Sequence, residues 1–390
     1  MKKYIFPPVL ILLIFFSWMN VLGNPDKDAA KYEEYIGKAE LNEKNTAYIT
    51  AAEYYAQAAE YTEDNAEIYL LAAENYKKCG EGNLFLKYSR LAAQKAPEND
   101  RPWVMMAEFC LERGEAGKAV NLLKEVPPSA STEKISELIA DAESRFHKGY
   151  KSFSDSKGFY GDYCAVSDGN FWGILDAEGR YQIIPEYDDA GAYSPDEDII
   201  PVCREGKWFF INTDNQVRYV PSEKYTWLGS FGSGLAPFCC GGKYGYTDLE
   251  GNEKAEYFDY AGPFSEGVAA VQRDGKWALV NAELEFITGF EYDEISADRY
   301  GFCVHGGVIC AVKDGKNVYI DVSGEETKSE RPYLCNLRPV KFGEFMGYEN
   351  KQGDIVIEAY FDEVTDFSEN GRAMVKEDGV WKMISLDVYE

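Results

Sequence analysis

One short phrase recurs through the last two thirds of this chain, and its spacing limits the fold more than any other feature. A clear copy is Gly275-Lys276-Trp277-Ala278, in which a ring follows Gly-Lys. The corresponding positions are Trp172, Trp208, Tyr244, Trp277, Asn317, Met346 and Trp381. They lie 36, 36, 33, 40, 29 and 35 residues apart. A period of this length indicates one supersecondary unit used many times.

Each copy predicts a β-hairpin followed by a third strand. Residues 267–273 alternate between two faces, and Asp274-Gly275 follows as a tight turn. Asp-Gly between alternating runs is a strong hairpin signal because the turn needs positive φ. The third segment ends in an aromatic–acid pair, such as Tyr292-Asp293. We expect the acid to accept backbone N–H groups at a turn.

A single hairpin buries too little surface to be stable, so neighbouring units must share a core. The recurring large side chains are expected to fill that core, as structural repeat aromatics. They are Trp172, Trp208, Tyr244, Trp277 and Trp381. The predicted fold class is therefore α followed by all-β, with an antiparallel β-repeat array as its second part. A propeller-like ring is favoured and an open hairpin superhelix is the alternative, since the sequence shows no clear device for closing a ring.

The β-region resembles the bacterial WG-repeat family, named for its Trp-Gly step. The resemblance covers residues 159–390. Trp172-Gly173 is the intact pair, Tyr244-Gly245 keeps the glycine, and Asn317 has lost the ring. Residues 328–345 fit poorly, which predicts a distorted sixth copy.

A second period, of 34 residues, runs through residues 28–150. Ala39, Ala73 and Ala107 recur at this spacing, each four residues after a large aromatic. This region resembles the tetratricopeptide repeat family over residues 32–130, in three copies of two helices each. The small residues would let the two helices approach closely, and a last helix capped by Ser131 or Thr132 would cover the end of the array.

The tetratricopeptide resemblance also implies a ligand face. In that family, peptides bind on the concave side, which is lined by the first helix of each pair. Carried onto this chain, the candidate peptide-binding groove consists of Glu33, Glu40, Glu67, Glu74 and Glu108. The resemblance thus implies a protein partner with a basic segment. The alternative is an acidic face that is merely solvated, in which stacked like charges need compensation.

The first residues predict export. Lys2 and Lys3 precede an apolar run, and Val21-Leu22-Gly23 suits a signal peptidase, so residues 1–23 are expected to be a signal peptide. The expected location is the periplasm or the cell surface. The alternative is an uncleaved N-terminal membrane anchor, although the run is short and is interrupted by Pro7-Pro8.

Composition excludes several classes of function. A net charge of −27 opposes binding to nucleic acid and to anionic lipid, so neither is expected as a partner. The nine cysteines show no metal-ligand spacing, so no metal or cofactor is predicted, and buried thiols with one or two disulfides as an alternative are expected. His147 and His305 belong to no catalytic motif, and no enzyme is predicted.

These features favour a non-enzymatic exported protein–protein interaction protein, built from helical and WG-type β-repeats. No stable membrane span is expected after signal cleavage. The second hypothesis is a cell-envelope protein that binds cell-wall carbohydrate, which exposed aromatics on one face would favour. The third is a carboxylate-dependent hydrolase, which would need two facing carboxylates in a deep pocket.

Overall fold

The computed structural model describes residues 25–328 and 330–389, so the predicted signal peptide lies outside the described residues. The chain divides into two compact units, of which the first ends at Ala142 and the second begins at Glu143. Helices form the first unit and strands form the second. In the described part of the chain, no helix has the length and apolar character needed to cross a membrane.

The first unit consists of successive helices joined by short turns. They are α1 (Pro25–Lys44), α2 (Tyr48–Ala58), α3 (Ala66–Lys78), α4 (Gly82–Lys95), α5 (Arg101–Glu112), α6 (Ala116–Lys124) and α7 (Glu133–Ser144). The recurring alanines Ala39, Ala73 and Ala107 are fully buried, as expected for helices that approach closely. Thr132 accepts the N–H of Ile135 at 3.5 Å, which places the predicted cap at the start of α7.

Ion pairs in this unit join equivalent places in successive helix pairs. Lys78 Nζ lies 2.7 Å from Glu43 Oε1, and Arg90 Nη1 lies 2.7 Å from Glu125 Oε2. In both pairs the partners are 35 residues apart in sequence, close to the 34-residue period. Each pair therefore links one helix pair to the next, although exposed ion pairs of this kind stabilise only weakly.

The second unit is a seven-bladed β-propeller of small antiparallel sheets. Its first strand is β1 (Phe146–Lys148). Blade 1 contains β2 (Asp155–Tyr160), β3 (Tyr163–Ser167), β4 (Trp172–Leu175) and β5 (Tyr181–Tyr187). Blade 2 contains β6 (Asp189–Ala190), β7 (Ile200–Arg204), β8 (Lys207–Ile211) and β9 (Val217–Tyr219). Blade 3 contains β10 (Trp227–Leu228), β11 (Ala236–Cys240), β12 (Lys243–Thr247) and β13 (Glu253–Phe258).

The remaining blades follow in chain order. Blade 4 contains β14 (Tyr260–Ala261), β15 (Val268–Arg273) and β16 (Lys276–Asn281). Blade 5 contains β17 (Glu294–Ile295), β18 (Val304–His305), β19 (Val308–Lys313) and β20 (Lys316–Asp321). Blade 6 contains β21 (Leu337–Phe342), β22 (Phe345–Asn350) and β23 (Ile355–Phe361). Blade 7 contains β24 (Glu363–Val364), β25 (Arg372–Glu377), β26 (Val380–Leu386) and the early strand β1. The favoured ring is thus confirmed over the open superhelix.

The ring is closed by pairing between its two ends. Strand β1 runs antiparallel to β26, with His147 opposite Ser385. Beyond it, Phe153 and Trp381 exchange backbone hydrogen bonds of 2.9 and 2.8 Å. The helices therefore end at Ser144 and the β-unit begins at Phe146, before the predicted start at residue 159. The sequence did not predict this earlier start, because β1 has only three residues and lacks the repeat motif.

Blade 5 differs from its neighbours on both its inner and its outer side. The connection from Asp293 to Val308 is longer than the equivalent one from Asp259 to Val268 in blade 4. The connection after Asp321 is shortened, because the chain leaves the outer edge of the blade after Thr327, which is the last residue that pairs there among those described. The insertion and the deletion account for the spacings of 40 and 29 residues on either side of Asn317.

The inserted residues 298–302, here named the axial segment, cross the ring. Tyr300 Oη donates to the Gly158 carbonyl at 2.8 Å and accepts the Ala165 N–H at 2.9 Å, both in blade 1. Arg299 forms ion pairs with Asp155 of blade 1 at 2.5 Å and with Glu363 of blade 7 at 3.0 Å. Neither blade is a neighbour of blade 5, so the axial segment spans the centre of the propeller.

Candidate functional site

The repeat aromatics occupy one place in their blades, on a strand of the central hairpin just after its turn. Trp208 packs against a cluster shared by blades 2 and 3, and Tyr244 against one shared by blades 3 and 4. Trp172 and Trp277 do the same between blades 1 and 2 and between blades 4 and 5. Trp381 is 1% exposed, between blades 7 and 1, whereas the other four are half-buried. All five therefore contribute to the joints between blades, as expected of structural rings.

Some of these rings continue into a ladder across blades 2 to 4. Its centroid distances are 6.4 Å for Trp208–Trp227, 5.7 Å for Trp227–Tyr244, 5.2 Å for Tyr244–Tyr260 and 5.4 Å for Tyr260–Trp277. The interplanar angles lie between 46° and 65°, so each ring turns towards the edge of the next. Three of the four contacts are edge to face and the Tyr244–Tyr260 contact is tilted, both of which are favourable aromatic geometries.

The acids of the aromatic–acid pairs accept backbone N–H groups at hairpin turns, as the sequence predicted. The pairs and distances are Asp188 with Gly206 at 3.3 Å, Asp259 with Asp274 at 2.7 Å, Asp293 with Gly315 at 3.0 Å and Asp362 with Gly379 at 3.2 Å. Two of these acids also bind a lysine of the preceding blade. Lys243 Nζ lies 2.5 Å from Asp259, and Lys276 Nζ lies 2.6 Å from Asp293. Hydrogen bonding to the lysine lowers the pKa of each carboxyl, and each acid joins two blades.

Three half-buried groups near the axis have shifted pKa values. Burial raises the pKa of Asp298 to about 6 and lowers the pKa of His305 to about 4. Burial also raises the pKa of Asp366, which is paired with Arg331. Such shifts can mark catalytic groups, but Asp298 accepts the N–H groups of its own loop at 2.9 and 3.0 Å. Its carboxylate thereby shapes the axial segment.

Two of the cavities at the surface of the propeller are lined mainly by residues of blades 1, 2 and 7. The larger, of about 500 Å³, is a polar cleft between blades 1 and 7, lined by Asp162, Tyr163, Asp176, Ala177, Glu178, Arg180, Gln182, Asn370, Arg372 and Tyr389. Arg180 Nε lies 2.8 Å from Asp176 in its wall, and this carboxylate accepts two backbone N–H groups as well. The smaller, of about 270 Å³, lies at the edge of blade 2 beside Trp208 and Pro221.

Among the described residues, the cysteine side chains form no disulfide. All nine cysteines are free thiols, and five of them are buried: Cys110, Cys164, Cys203, Cys239 and Cys303. Among residues 25–328 and 330–389, no three His, Cys, Asp or Glu side chains lie together as a metal ion would require. Burial raises the pKa of Cys164 and Cys303 to about 12, so these thiols are poor nucleophiles.

The candidate groove glutamates lie on the first helix of each pair. Glu33 and Glu40 belong to α1, Glu67 and Glu74 to α3, and Glu108 to α5. Glu33, Glu40 and Glu67 are exposed, and the other two are half-buried.

A single guanidinium joins two of these glutamates. Arg101 Nη1 lies 2.9 Å from Glu67, and Arg101 Nη2 lies 2.6 Å from Glu74. This charge compensates part of the acidic column, a role that the sequence did not reveal. The one available signal was the 34-residue spacing between Glu67 and Arg101.

Comparison with a known repeat family agrees with the β-repeats described above. Residues 172–208, 208–244, 244–277 and 346–381 match the model of the WG-containing repeat. The WG resemblance is thus confirmed for four segments of the propeller. The resemblance of the helical unit to tetratricopeptide repeats stays a prediction.

Comparison with whole proteins finds only remote similarity. No curated protein matches the chain. Among solved structures, it is similar to the β-propeller domain of Myceliophteria thermophila Cps50 (Swd1), at 8% identity over 61% of this chain and 98% of that one, with a TM-score of 0.37. The WD40 domain of Neurospora crassa Pan2 aligns at 7% identity over 58% and 86%, with a TM-score of 0.37. Kluyveromyces lactis Hsv2 aligns at 10% identity over 58% and 70%, with a TM-score of 0.35.

Proposed function

We propose, from the premise that this propeller is built from WG-containing repeats, that the protein is a non-enzymatic interaction protein acting outside the cytoplasm. Both units present repeated surfaces, which are suited to holding extended partners. The carboxylates with lowered pKa values at the hairpin turns and the half-buried acids at the axis have structural partners. The helical unit is proposed to supply the main contact, through a basic segment of a protein partner.

The position of Arg101 is the observation that carries this proposal. Its guanidinium lies between Glu67 and Glu74 at 2.9 and 2.6 Å, as an arginine of a bound peptide would. The face thus has carboxylates spaced to share one cation, and charge-assisted contacts of this type are the stronger class of hydrogen bond. Glu40 and Glu108 extend the same column on either side of this pair.

A substitution experiment tests the acidic face. Partners are captured from the cell envelope with the mature protein, and the one retained at low salt is titrated against a variant carrying Glu40→Gln, Glu74→Gln and Glu108→Gln. Exposed pairs are worth roughly 0.2–1 kcal/mol each, so affinity should fall about tenfold and should also fall as salt rises. A matched control carries Glu53→Gln, Glu60→Gln and Glu98→Gln, exposed positions outside the three first helices. Equal affinities of the two variants would show that the column is a solvated face.

Carbohydrate binding is a second candidate, favoured by the polar cleft between blades 1 and 7. Its tyrosines Tyr163 and Tyr389 and its amide and guanidinium groups are of the kind that bind sugar hydroxyls. Binding of cell-wall oligosaccharides is measured by calorimetry with the intact protein and with Tyr163→Ala. Heat of binding that persists in this variant, or that is missing from both proteins, would remove this candidate.

Export is proposed from the charged and apolar N-terminal sequence. Protein purified from its native cell is expected to begin at Asn24 after removal of residues 1–23. N-terminal sequencing of the envelope and cytosolic fractions decides between cleavage and an uncleaved anchor. A cytosolic protein that starts at Met1 would contradict export altogether.

A further inference from the structure

The outer edge of blade 5 lacks a covering that five other blades have. In those blades the repeat position pairs with an aromatic residue of an outer segment. The pairs are Trp172 with Tyr187, Tyr244 with Phe258, Trp277 with Tyr292, Met346 with Phe361 and Trp381 with Phe153. In blade 5 the repeat position is Asn317, which is exposed. Within the described residues, Asn317 pairs only with Val312, on the inner side of its strand.

Blade 4 shows what the backbone at Asn317 lacks. There the Trp277 N–H donates to the Tyr292 carbonyl at 2.9 Å, and the Tyr292 N–H returns to the Trp277 carbonyl at 3.2 Å. In blade 5 the covering chain stops after Thr327, whose N–H donates to the Tyr319 carbonyl at 2.9 Å. In the described part of the chain, neither backbone group of Asn317 has an outward partner of this kind. Among the described residues, this leaves a short open edge at residues 316–318, here named the blade-5 edge.

The lysine at this edge also lacks, within the described residues, the carboxylate partner that its equivalents have in blades 3 and 4. Lys243 and Lys276 stand just before their repeat positions and bind Asp259 and Asp293 of the outer segments. Lys316 is the equivalent residue of blade 5 and is exposed, and no ion pair involves it in the described residues. The turn at residues 343–344 in blade 6 has no aspartate cap there either, unlike the turns that follow blades 1, 3, 4 and 6. Both the lysine and the turn thus lack the one carboxylate that an outer segment supplies.

Blade 2 also departs from its outer pairing, but its own chain supplies an aromatic and a carboxylate side chain near the repeat position. Strand β9 pairs with Phe210 and Ile211 only. The chain then returns to place Tyr225 in the cluster that contains Trp208. Glu223 lies 4.0 Å from Lys207, the lysine of this blade. An aromatic and a carboxylate are therefore present at blade 2, whereas the described residues place neither beside Asn317 at the outer edge of blade 5.

We propose that the blade-5 edge binds an extended segment of a partner protein as an added antiparallel strand, and that this segment carries an aromatic residue followed by aspartate or glutamate. The proposal rests on the proposed interaction function and names a second, chemically different contact. Strand addition gives affinity through the backbone groups of Asn317 and specificity through side chains. The aromatic lies opposite Asn317, as Tyr292 lies opposite Trp277, and the carboxylate lies beside Lys316.

Charge argues against a second copy of this chain as the occupant. Two copies pairing edge to edge would bring a lysine of one chain close to the same lysine of the other. Lysine on an edge strand is a common protection against such pairing. A partner that carries a carboxylate instead converts this protection into recognition, because its charge is complementary to Lys316.

The test uses the full mature chain and a labelled peptide with the sequence of residues 289–293, which is the part of the outer segment of blade 4 that covers Trp277. Binding is followed by fluorescence anisotropy. A control peptide carries Tyr292→Ala and Asp293→Lys and is expected to bind at least about tenfold more weakly. No binding of the first peptide, or equal binding of both, would overturn the proposal.

Two protein variants separate edge pairing from other modes. Asn317→Pro removes the outward N–H, and proline is tolerated on an edge whose N–H faces solvent. Asn317→Ala keeps that N–H and serves as the matched control. Loss of one backbone hydrogen bond should weaken peptide binding roughly three- to tenfold in Asn317→Pro and leave it unchanged in Asn317→Ala. Equal binding by the two variants, with equal melting temperatures, would contradict strand addition.

A charge exchange tests the role of the lysine. Lys316→Glu should weaken binding of the Asp293 peptide and strengthen binding of the peptide that carries lysine there, and an unchanged preference would refute the contact. Sedimentation velocity then measures the oligomeric state of the unaltered protein and of Asn317→Pro. A dimer that forms in the first and is absent from the second would show that a second copy occupies the edge, which would overturn the proposal. Capture of the envelope partner by Asn317→Pro protein reports on the helical face separately. If Asn317→Pro protein still captures the envelope partner but no longer binds the peptide, the effect of the substitution is confined to the blade-5 edge and the helical face is unaffected.

Discussion

A tryptophan at the repeat position has different consequences in different blades, because its burial differs. Trp381 is 1% exposed and lies in the joint between the last blade and the first, with the Arg299 guanidinium 5.0 Å from its ring. Trp277 is half-buried and contacts Tyr260 edge to face. The same motif residue therefore acts as a fully enclosed core ring at the closure and as a partly solvated one elsewhere.

Trp381→Ala should destabilise the propeller by about 3–5 kcal/mol, since removing an enclosed ring leaves a cavity. Trp277→Ala should cost less, because water can reach part of the vacated space. Calorimetric melting of the full chain compares the two, with the half-buried Trp208 replaced by alanine as a second reference. Equal costs for all three would mean that burial does not decide the role of these rings.

The aspartates that join neighbouring blades make the stability of the folded propeller depend on pH. Hydrogen bonding to Lys243 lowers the pKa of Asp259 in the folded chain. A lowered folded pKa contributes stability above the unfolded value of about 3.9, and this stability is lost as pH falls through the folded value. Asp259→Asn should therefore lower the melting temperature at pH 7, and this difference should shrink as the pH falls below the unfolded value of about 3.9. An undiminished difference at the lower pH would show that the contact is not electrostatic.

Among the elements, the axial segment explains why blade 5 deviates from the repeat. It exchanges contacts with blades 1 and 7 across the ring, and Phe302 stacks on Tyr160 with centroids 4.4 Å apart. The hydroxyl of Tyr300 satisfies one carbonyl and one N–H of blade 1 at once. The central channel is therefore occupied by the chain's own side chains.

Tyr300→Phe should destabilise the propeller by about 1–3 kcal/mol, since it leaves the Gly158 carbonyl and the Ala165 N–H buried without their partner. Phenylalanine keeps the ring, so packing is nearly unchanged and the loss reports on the hydrogen bonds. Chemical denaturation of the full chain measures it, and hydrogen exchange at Ala165 should rise in parallel. Unchanged exchange at Ala165 would show that water replaces the hydroxyl.

The elements that repeat could be predicted from the sequence, and those that occur once could not. The Asp-Gly turns and the capping aspartates recur, so their geometry could be predicted from the phi requirement of the turn and from the repeated acid. The axial segment appeared only as a long interval before Asn317, which does not show on which side of a strand the extra residues lie. The groove glutamates followed from the 34-residue period, but the side-chain conformation that places Arg101 between two of them depends on packing.

At the scale of the whole molecule, closure of the ring depends on a strand that precedes the first repeat. The N–H of Gly149 donates to the Met383 carbonyl at 2.8 Å, and the Asp387 N–H donates to the Arg145 carbonyl at 2.9 Å. Alternate residues of an antiparallel strand face the same neighbour, so the backbone of His147 also faces β26. Blade 7 is complete only when these two distant parts of the chain are paired.

His147→Pro should open this closure, because proline cannot donate a hydrogen bond to the ladder. The expected cost is about 1–3 kcal/mol, with faster hydrogen exchange along β26. His147→Ala is the control, since it keeps the N–H and removes only the ring that lies 3.0 Å from Asp387. Equal protection of β26 in the two variants would mean that β1 is dispensable for closing the propeller.

The pairing of β1 with β26 also has a consequence for biosynthesis. Residues 146–148 leave the ribosome long before their partner residues 384–386, which follow six intervening blades in the sequence. Throughout that interval the outermost place of the last blade cannot be filled, and six blades can form while the first and the last remain unjoined. A chain truncated near its C-terminus would thus be released as an open arc whose exposed strand edges invite pairing with other chains. Synthesis of β26, and not the formation of any earlier blade, is the event that turns these repeats into a ring.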